Sequence, residues 1–83
     1  MSDINITMRL FGAFRKHGET VTFTMPRGCT AESVKARLAE VLNQSDAGLI
    51  GESALANDNE IISGDTVLLR DCQLAILPPV CGG

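Results

Sequence analysis

Residues 20–42 read TVTFTMPRGCTAESVKARLAEVL, and two periods meet inside that stretch. Up to Met25 the apolar residues alternate with threonine: Val21, Phe23 and Met25 share one face. This is the period of a strand with one buried side. Pro26 and Gly28 then break the sheet pattern. From Thr30 the period changes. Val34, Leu38, Val41 and Leu42 fall at i, i+4, i+7 and i+8, a single apolar stripe, with Lys35, Arg37 and Glu40 off it. Thr30 has a hydroxyl suited to an N-cap, and Glu32 sits in the first turn, where a negative charge meets the positive helix end. Asn43 can close the helix. The stretch therefore predicts a strand, a tight break and a helix over 31–42.

Working upstream, INITMRLF (4–11) alternates again, with Ile4, Ile6, Met8 and Leu10 on one face. GAFRKHGE (12–19) reads as a connection, so the first two strands form a hairpin with a longish loop. Its His17 has no Ser, Cys or paired carboxylate nearby in sequence and is expected in solvent. Downstream, QSDAGLIGES (44–53) reads as a polar connection with Leu49 and Ile50 as a small apolar plug. ALANDNEII (54–62) reads as two short strands around an Asn-Asp-Asn turn. A second turn is expected at Ser63–Asp65, a short apolar segment after it, and a third turn near Arg70–Cys72. QLAILP (73–78) is the last strand. One helix over one face of a mixed sheet is an α+β two-layer domain. The long apolar first and last strands belong at its centre, paired in parallel, which is the ubiquitin-like β-grasp arrangement.

Length and composition narrow the function. Eighty-three residues make one small domain (1–83), whose core must be aliphatic because Trp and Tyr are absent. No apolar run approaches the roughly 20 residues of a membrane span. The first ten residues lack the features of a signal peptide, so a cytoplasmic protein is expected. Cys29, Cys72 and Cys81 are an odd set without CxxC spacing, which speaks against a disulfide framework, a zinc site or an iron–sulfur cluster. No bound metal or cofactor is expected. The net charge is −3 and no basic stripe is interleaved with aromatics, which disfavours nucleic acid as a partner. No nucleophile–base constellation is evident, so no active site is expected within the chain.

The remaining signal is LAILPPVCGG (74–83). An apolar strand, Pro-Pro-Val, one small residue and Gly-Gly resemble the terminal pattern of the small, sulfur-carrying subunit of molybdopterin synthase, one of the ubiquitin-like sulfur carriers. RLFGAFRKHG (9–18) is similar to that family's first strand and Phe-x-x-x-Arg connection, through Phe11 and Arg15. ALANDNEII is similar to its Val-Asn strand and turn. Two departures stand out. Arg70-Asp71-Cys72 replaces the usual Asp-Gly-Asp, although Asp tolerates a left-handed turn position better than most residues. Cys81 stands where Ser, Thr or Ala is usual, and is expected to act only as a small residue, while Cys29 and Cys72 are expected to be structural.

The resemblance implies a chemistry. Gly83 would be adenylated with ATP by an activating enzyme of the ubiquitin-activating type. Its acyl-adenylate would accept sulfur from a persulfide-carrying sulfurtransferase. The resulting thiocarboxylate would donate sulfur to a pterin precursor held by the large subunit. The residue types suit this task. Gly82 and Gly83 have no Cβ and can pass through a narrow channel. Pro78 and Pro79 keep the stalk extended, and Val80 and Cys81 complete it. Alternation adds a docking surface: Phe11, Ala75 and Leu77 should share the sheet face away from the helix, forming an apolar patch beside the tail unless segment 43–52 covers it. Other readings start from the same tail: sulfur carriage for thiamine thiazole or cysteine synthesis, a ubiquitin-like modifier joined through Gly83 to lysines, or a β-grasp interaction module with an inert tail. A lysine-linked Gly-Gly remnant would identify the modifier, and indifference to loss of Gly83 the inert module.

Overall fold

The computed structural model describes residues 2–42, 44, 47–58 and 60–79. In chain order its elements are β1 (Asp3–Leu10), a 3-10 turn (Gly12–His17), β2 (Thr20–Pro26), β3 (Cys29–Thr30), α1 (Ala31–Val41), α2 (Ala47–Glu52), β4 (Ala54–Ala56), β5 (Ile61–Ile62), β6 (Val67–Leu68) and β7 (Cys72–Leu77). Among the described residues five strands form one sheet in the order β2-β1-β7-β4-β5, and β3 pairs with β6 in a separate small ribbon. β1 and β2 are the antiparallel hairpin, with Ile6 opposite Phe23. β1 and β7 run parallel at the centre, with Met8 opposite Leu74. The mixed sheet with a helix packed on it is the ubiquitin-like β-grasp expected from the strand order.

The alternating residues point where their period requires. Ile4, Ile6, Met8 and Leu10 of β1, Phe23 and Met25 of β2, Leu55 of β4, and Leu74 and Ile76 of β7 are buried under the helices. Ala31, Val34, Leu38 and Leu42 meet them from α1 and its C-cap, and Ile50 from α2. Each large aliphatic chain so buried stabilises the fold by about 1.5–3 kcal/mol relative to exposure. Thr30 caps α1 as expected: its hydroxyl accepts from the Ser33 N–H (3.2 Å), while Ser33 Oγ accepts from the Thr30 N–H (3.0 Å). At the third turn Asp71 does not take the left-handed backbone expected of a glycine replacement; it contributes through its side chain. Its carboxylate accepts from the Asn5 N–H at 2.8 Å, tying the turn to β1.

Four local expectations are corrected. Val41 leaves the apolar stripe and is 37% exposed, because α1 ends there and Leu42, turned inward, supplies the contact instead. The 12–19 connection is a 3-10 turn that buries Phe14 completely. His17 is half-buried in that turn, not in solvent. Within segment 43–52, residues 47–52 are helical, and Ser53 behind them is buried with its hydroxyl donating to the Leu49 carbonyl at 2.7 Å. Asn43, expected as the helix terminator, lies outside the described residues. No helix among the described residues is long and apolar enough to cross a membrane.

Candidate functional site

The centre of the sheet delivers the tail. β7 ends at Leu77, and the half-buried Pro78 follows directly. Beside it β1 ends at Leu10, and Phe11 continues extended (φ −128°, ψ 159°) into the 3-10 turn. Gly12 then adopts φ +58°, the left-handed region, and a Cβ built on it would lie 2.7 Å from Pro78 Cγ. Glycine at this position therefore serves two purposes. It accepts the backbone turn that a side chain would strain, and it leaves space for the proline ring. The root of the tail is seated against the end of β1.

The register places an apolar face around that root. Ala75 lies between Arg9 of β1 and Ala56 of β4, and Leu77 lies opposite Ala54. Directly opposed residues share a sheet face, so Ala54, Ala56, Ala75 and Leu77 lie together on the side away from α1, all half-buried. Phe11, just beyond the end of β1, continues the outward side after Arg9, with the Arg9 guanidinium 5.4 Å above its ring. Ile61, opposite Ala56, extends the face to the sheet edge and is 63% exposed. α2 does not cover this surface. It packs on the other side against α1, where Lys35 Nζ donates to the Gly51 carbonyl at 3.1 Å. Arg15 is exposed on the 3-10 turn and lines a shallow hollow with Arg9, Phe11 and Glu19, pairing loosely with Glu19 at 3.7 Å. Basic and apolar groups thus flank the tail root together.

Phe11, Arg15, Ala75, Leu77 and Pro78 therefore converge, and Pro79 follows exposed. Val80, Cys81, Gly82 and Gly83 lie outside the described residues. Arg9, in phase with Phe11, belongs to the same surface, as do Gly12 and Ala54, which are not evident from alternation alone. The signal for Gly12 was its place immediately after a strand, where a glycine marks a sharp change of direction. Cys29 and Cys72 lie half-buried against the core. Burial pushes both thiols up from the ordinary value, and for Cys72 the neighbouring Cys29 and Asp71 add to the effect. Raised thiols suit packing rather than nucleophilic sulfur chemistry.

Comparison with known proteins agrees with this architecture. The Haloferax volcanii HVO 2177 protein superposes with a TM-score of 0.77 at 19% identity, over 98% of this chain and 88% of that one. SAMP1 from Haloferax volcanii gives 0.78 at 17% identity, over 95% and 99%. A Pyrococcus furiosus protein described as molybdopterin converting factor, subunit 1, gives 0.76 at 14% identity, over 93% and 99%. At such identities the likeness is one of fold. No curated protein sequence matches the chain at a significant level. The sequence does match the ThiS family over residues 8–83, from the middle of β1 through the Gly-Gly tail. The chain belongs to the ThiS family.

Proposed function

We propose that this chain is the small, sulfur-carrying subunit of molybdopterin synthase and works in the cytoplasm. The observation that carries the reading is the apolar face of Phe11, Ala75, Leu77 and Ala54 lying directly beside the root of the tail. A large subunit seated on that face would receive the tail without having to order a long linker, which keeps the cost of binding low. Pro-Pro-Val before the glycines favours the molybdopterin pathway over thiamine thiazole or cysteine synthesis by resemblance.

The chemistry would require Gly83 to present a free carboxylate. A carboxylate resists nucleophiles because its carbon shares the delocalised negative charge. An adenylating partner joins it to AMP from ATP and releases pyrophosphate. A protein persulfide attacks the acyl carbon, AMP leaves, and an acyl disulfide forms. A thiol then reduces that disulfide, freeing the thiocarboxylate and oxidising the thiol to a disulfide. The large subunit would hold the pterin precursor and any catalytic groups, while this chain supplies the sulfur and its delivery path. The ATP belongs to the activating enzyme.

Intact mass tests the proposal. After incubation with an activating enzyme of the ubiquitin-activating type, ATP, a persulfide donor and a thiol, the mass should rise by one oxygen-to-sulfur exchange. Fragmentation should place that exchange on Gly83. The charged protein should then convert a pterin precursor in the presence of a large subunit, and a chain lacking Gly82 and Gly83 should do neither. No exchange with the organism's own activating enzymes would sink the reading. Lysine-linked Gly-Gly remnants without sulfur transfer would assign the chain to protein modification.

A further inference from the structure

β2 is the edge of the sheet, and its outer side pairs with nothing among the described residues. The pattern of that edge can be read from the bonds at its two ends. The Leu10 N–H donates to the Glu19 carbonyl at 2.9 Å, and the Arg27 N–H donates to the Ser2 carbonyl at 3.3 Å. Both continue the β1–β2 register beyond the strand ends. Bonded and non-bonded pairs alternate in an antiparallel ladder. The odd-numbered residues from 19 to 27 therefore turn their backbone groups to β1, and Thr20, Thr22, Thr24 and Pro26 turn theirs outward. Pro26, which has no N–H to offer, falls where the inner ladder loses nothing.

This edge is protected only at its end. A long edge strand is normally blunted by a lysine, a proline, an inward charge, a bulge or a covering element, and here Pro26 alone supplies one, leaving Thr20–Met25 open. TVTFTMP carries no charge over seven residues, and Thr20, Thr22 and Thr24 are exposed. Beside it a groove opens between β2 and α1, lined by Thr24, Met25, Ser33, Ala36 and Arg37. The edge is also complementary to itself. Antiparallel pairing of two copies centred on Phe23 sets Thr22 against Thr24, Val21 against Met25 and Thr20 against Pro26. Thr22 and Thr24 exchange backbone bonds across the two-fold axis, and the Thr20 N–H donates to the Pro26 carbonyl. The same register sets Glu19 of each copy opposite Arg27 of the other. These fall in non-bonded pairs, where side chains approach most closely.

We propose that two copies of this chain associate through β2, extending both sheets into one, with reciprocal Glu19–Arg27 ion pairs fixing the register. β1 separates this edge from β7, so the dimer leaves the face of Ala75 and Leu77 open, while Glu19 brings the contact beside the Arg15 flank of the tail root. The proposal does not depend on the sulfur-carrier reading.

Charge reversal tests it by sedimentation equilibrium over a wide concentration range. Glu19 and Arg27 are both exposed, but Arg27 Nε donates to the Leu69 carbonyl at 3.2 Å and Glu19 pairs with Arg15 at 3.7 Å. The Tm of each variant is therefore measured beside its self-association, to separate a loss of fold from a loss of contact. Wild type should dimerise reversibly and less tightly as salt rises. Glu19→Arg and Arg27→Glu should each weaken self-association by about tenfold or more, since each replaces two opposite-charge pairs by like-charge pairs. An equimolar mixture of the two variants should recover dimerisation, because both ion pairs re-form between unlike copies. Amide exchange at Thr20, Thr22 and Thr24 should slow as concentration rises. Three results would overturn the proposal: a monomer at every concentration, a dimer indifferent to both reversals, or Thr amides that slow only when a foreign extended peptide is added.

Discussion

Gly12 joins the end of β1 to the tail root, and both of its constraints can be tested. A side chain there must occupy φ +58° and displace the Pro78 ring. Gly12→Ala should cost about 1–2 kcal/mol, the penalty of a left-handed alanine. That lowers Tm by about 4–8 °C per kcal/mol in a domain of this size. Pro78→Ala in the same chain should recover part of the loss by removing the steric component. Equal losses in both backgrounds would show that the backbone alone demands glycine. The cysteines give a second prediction at this scale. Burial, with Cys29 and Asp71 nearby in the case of Cys72, raises both thiols above their ordinary value of 9.0. The folded chain therefore holds these protons more tightly than the unfolded one, so their stabilising contribution is complete below the unfolded value. It fades as pH rises through about that value towards the folded one. Urea midpoints should fall on the alkaline side of pH 9, and Cys72→Ala should flatten that fall. A fall of the same steepness in Cys72→Ala would place its origin elsewhere.

At the scale of elements, α1 tests how far local chemistry governs the fold. Thr30 and Ser33 satisfy each other's backbone N–H groups reciprocally. Thr30→Ala removes the acceptor for the Ser33 N–H and should cost about 1 kcal/mol. Thr30→Asp should restore most of the stability, because its carboxylate can accept the same bond. Chemical denaturation of the three proteins checks this, and an unchanged midpoint in Thr30→Ala would mean that packing alone sets the helix start. The start of α1 was legible in the sequence because caps and periods are local. So were β1, β2, β7 and the 54–62 hairpin, each long enough or framed clearly enough to show its alternation. Phe14 was not legible. A single 3-10 turn is too short to display a period, and the phenyl ring is buried by what lies above it rather than by its neighbours in sequence. The β3–β6 ribbon escaped for a related reason: two-residue strands are defined by a partner nearly forty positions away. α2 hid in a polar, glycine-containing segment whose only apolar contribution is Leu49 and Ile50. Among the candidate site residues, alternation put Phe11, Ala75 and Leu77 on one face, and Arg9 with Phe11, but it could not supply Gly12 or Ala54. Their membership depends on strand register and on where the tail root lies.

At the scale of the whole molecule the sheet separates two tasks. Its inner face holds the fold together through α1, α2 and the aliphatic core, while its outer face stays thinly covered near the end of β7. That division predicts how binding and stability respond to one substitution. Leu77 is half-buried, pairs with Ala54 on the outer face and immediately precedes the tail. Leu77→Asp places a charge at the centre of the proposed docking surface. Truncating or charging a central apolar contact typically costs about 2 kcal/mol or more in binding. The isolated chain should lose less, because an aspartate at this position can still reach water and no core residue loses its packing. Affinity for a molybdopterin synthase large subunit, measured beside Tm for the free variant, separates the two contributions. The expected pattern is a loss of affinity of thirtyfold or so, since about 1.4 kcal/mol corresponds to a factor of ten, with a modest fall in Tm. Ile61→Asp, at the sheet edge of the same face and more exposed, should weaken binding less than Leu77→Asp if the contact centres on the tail root. Unchanged affinity with a collapsed Tm would return Leu77 to the core and leave the tail to act without a docking face.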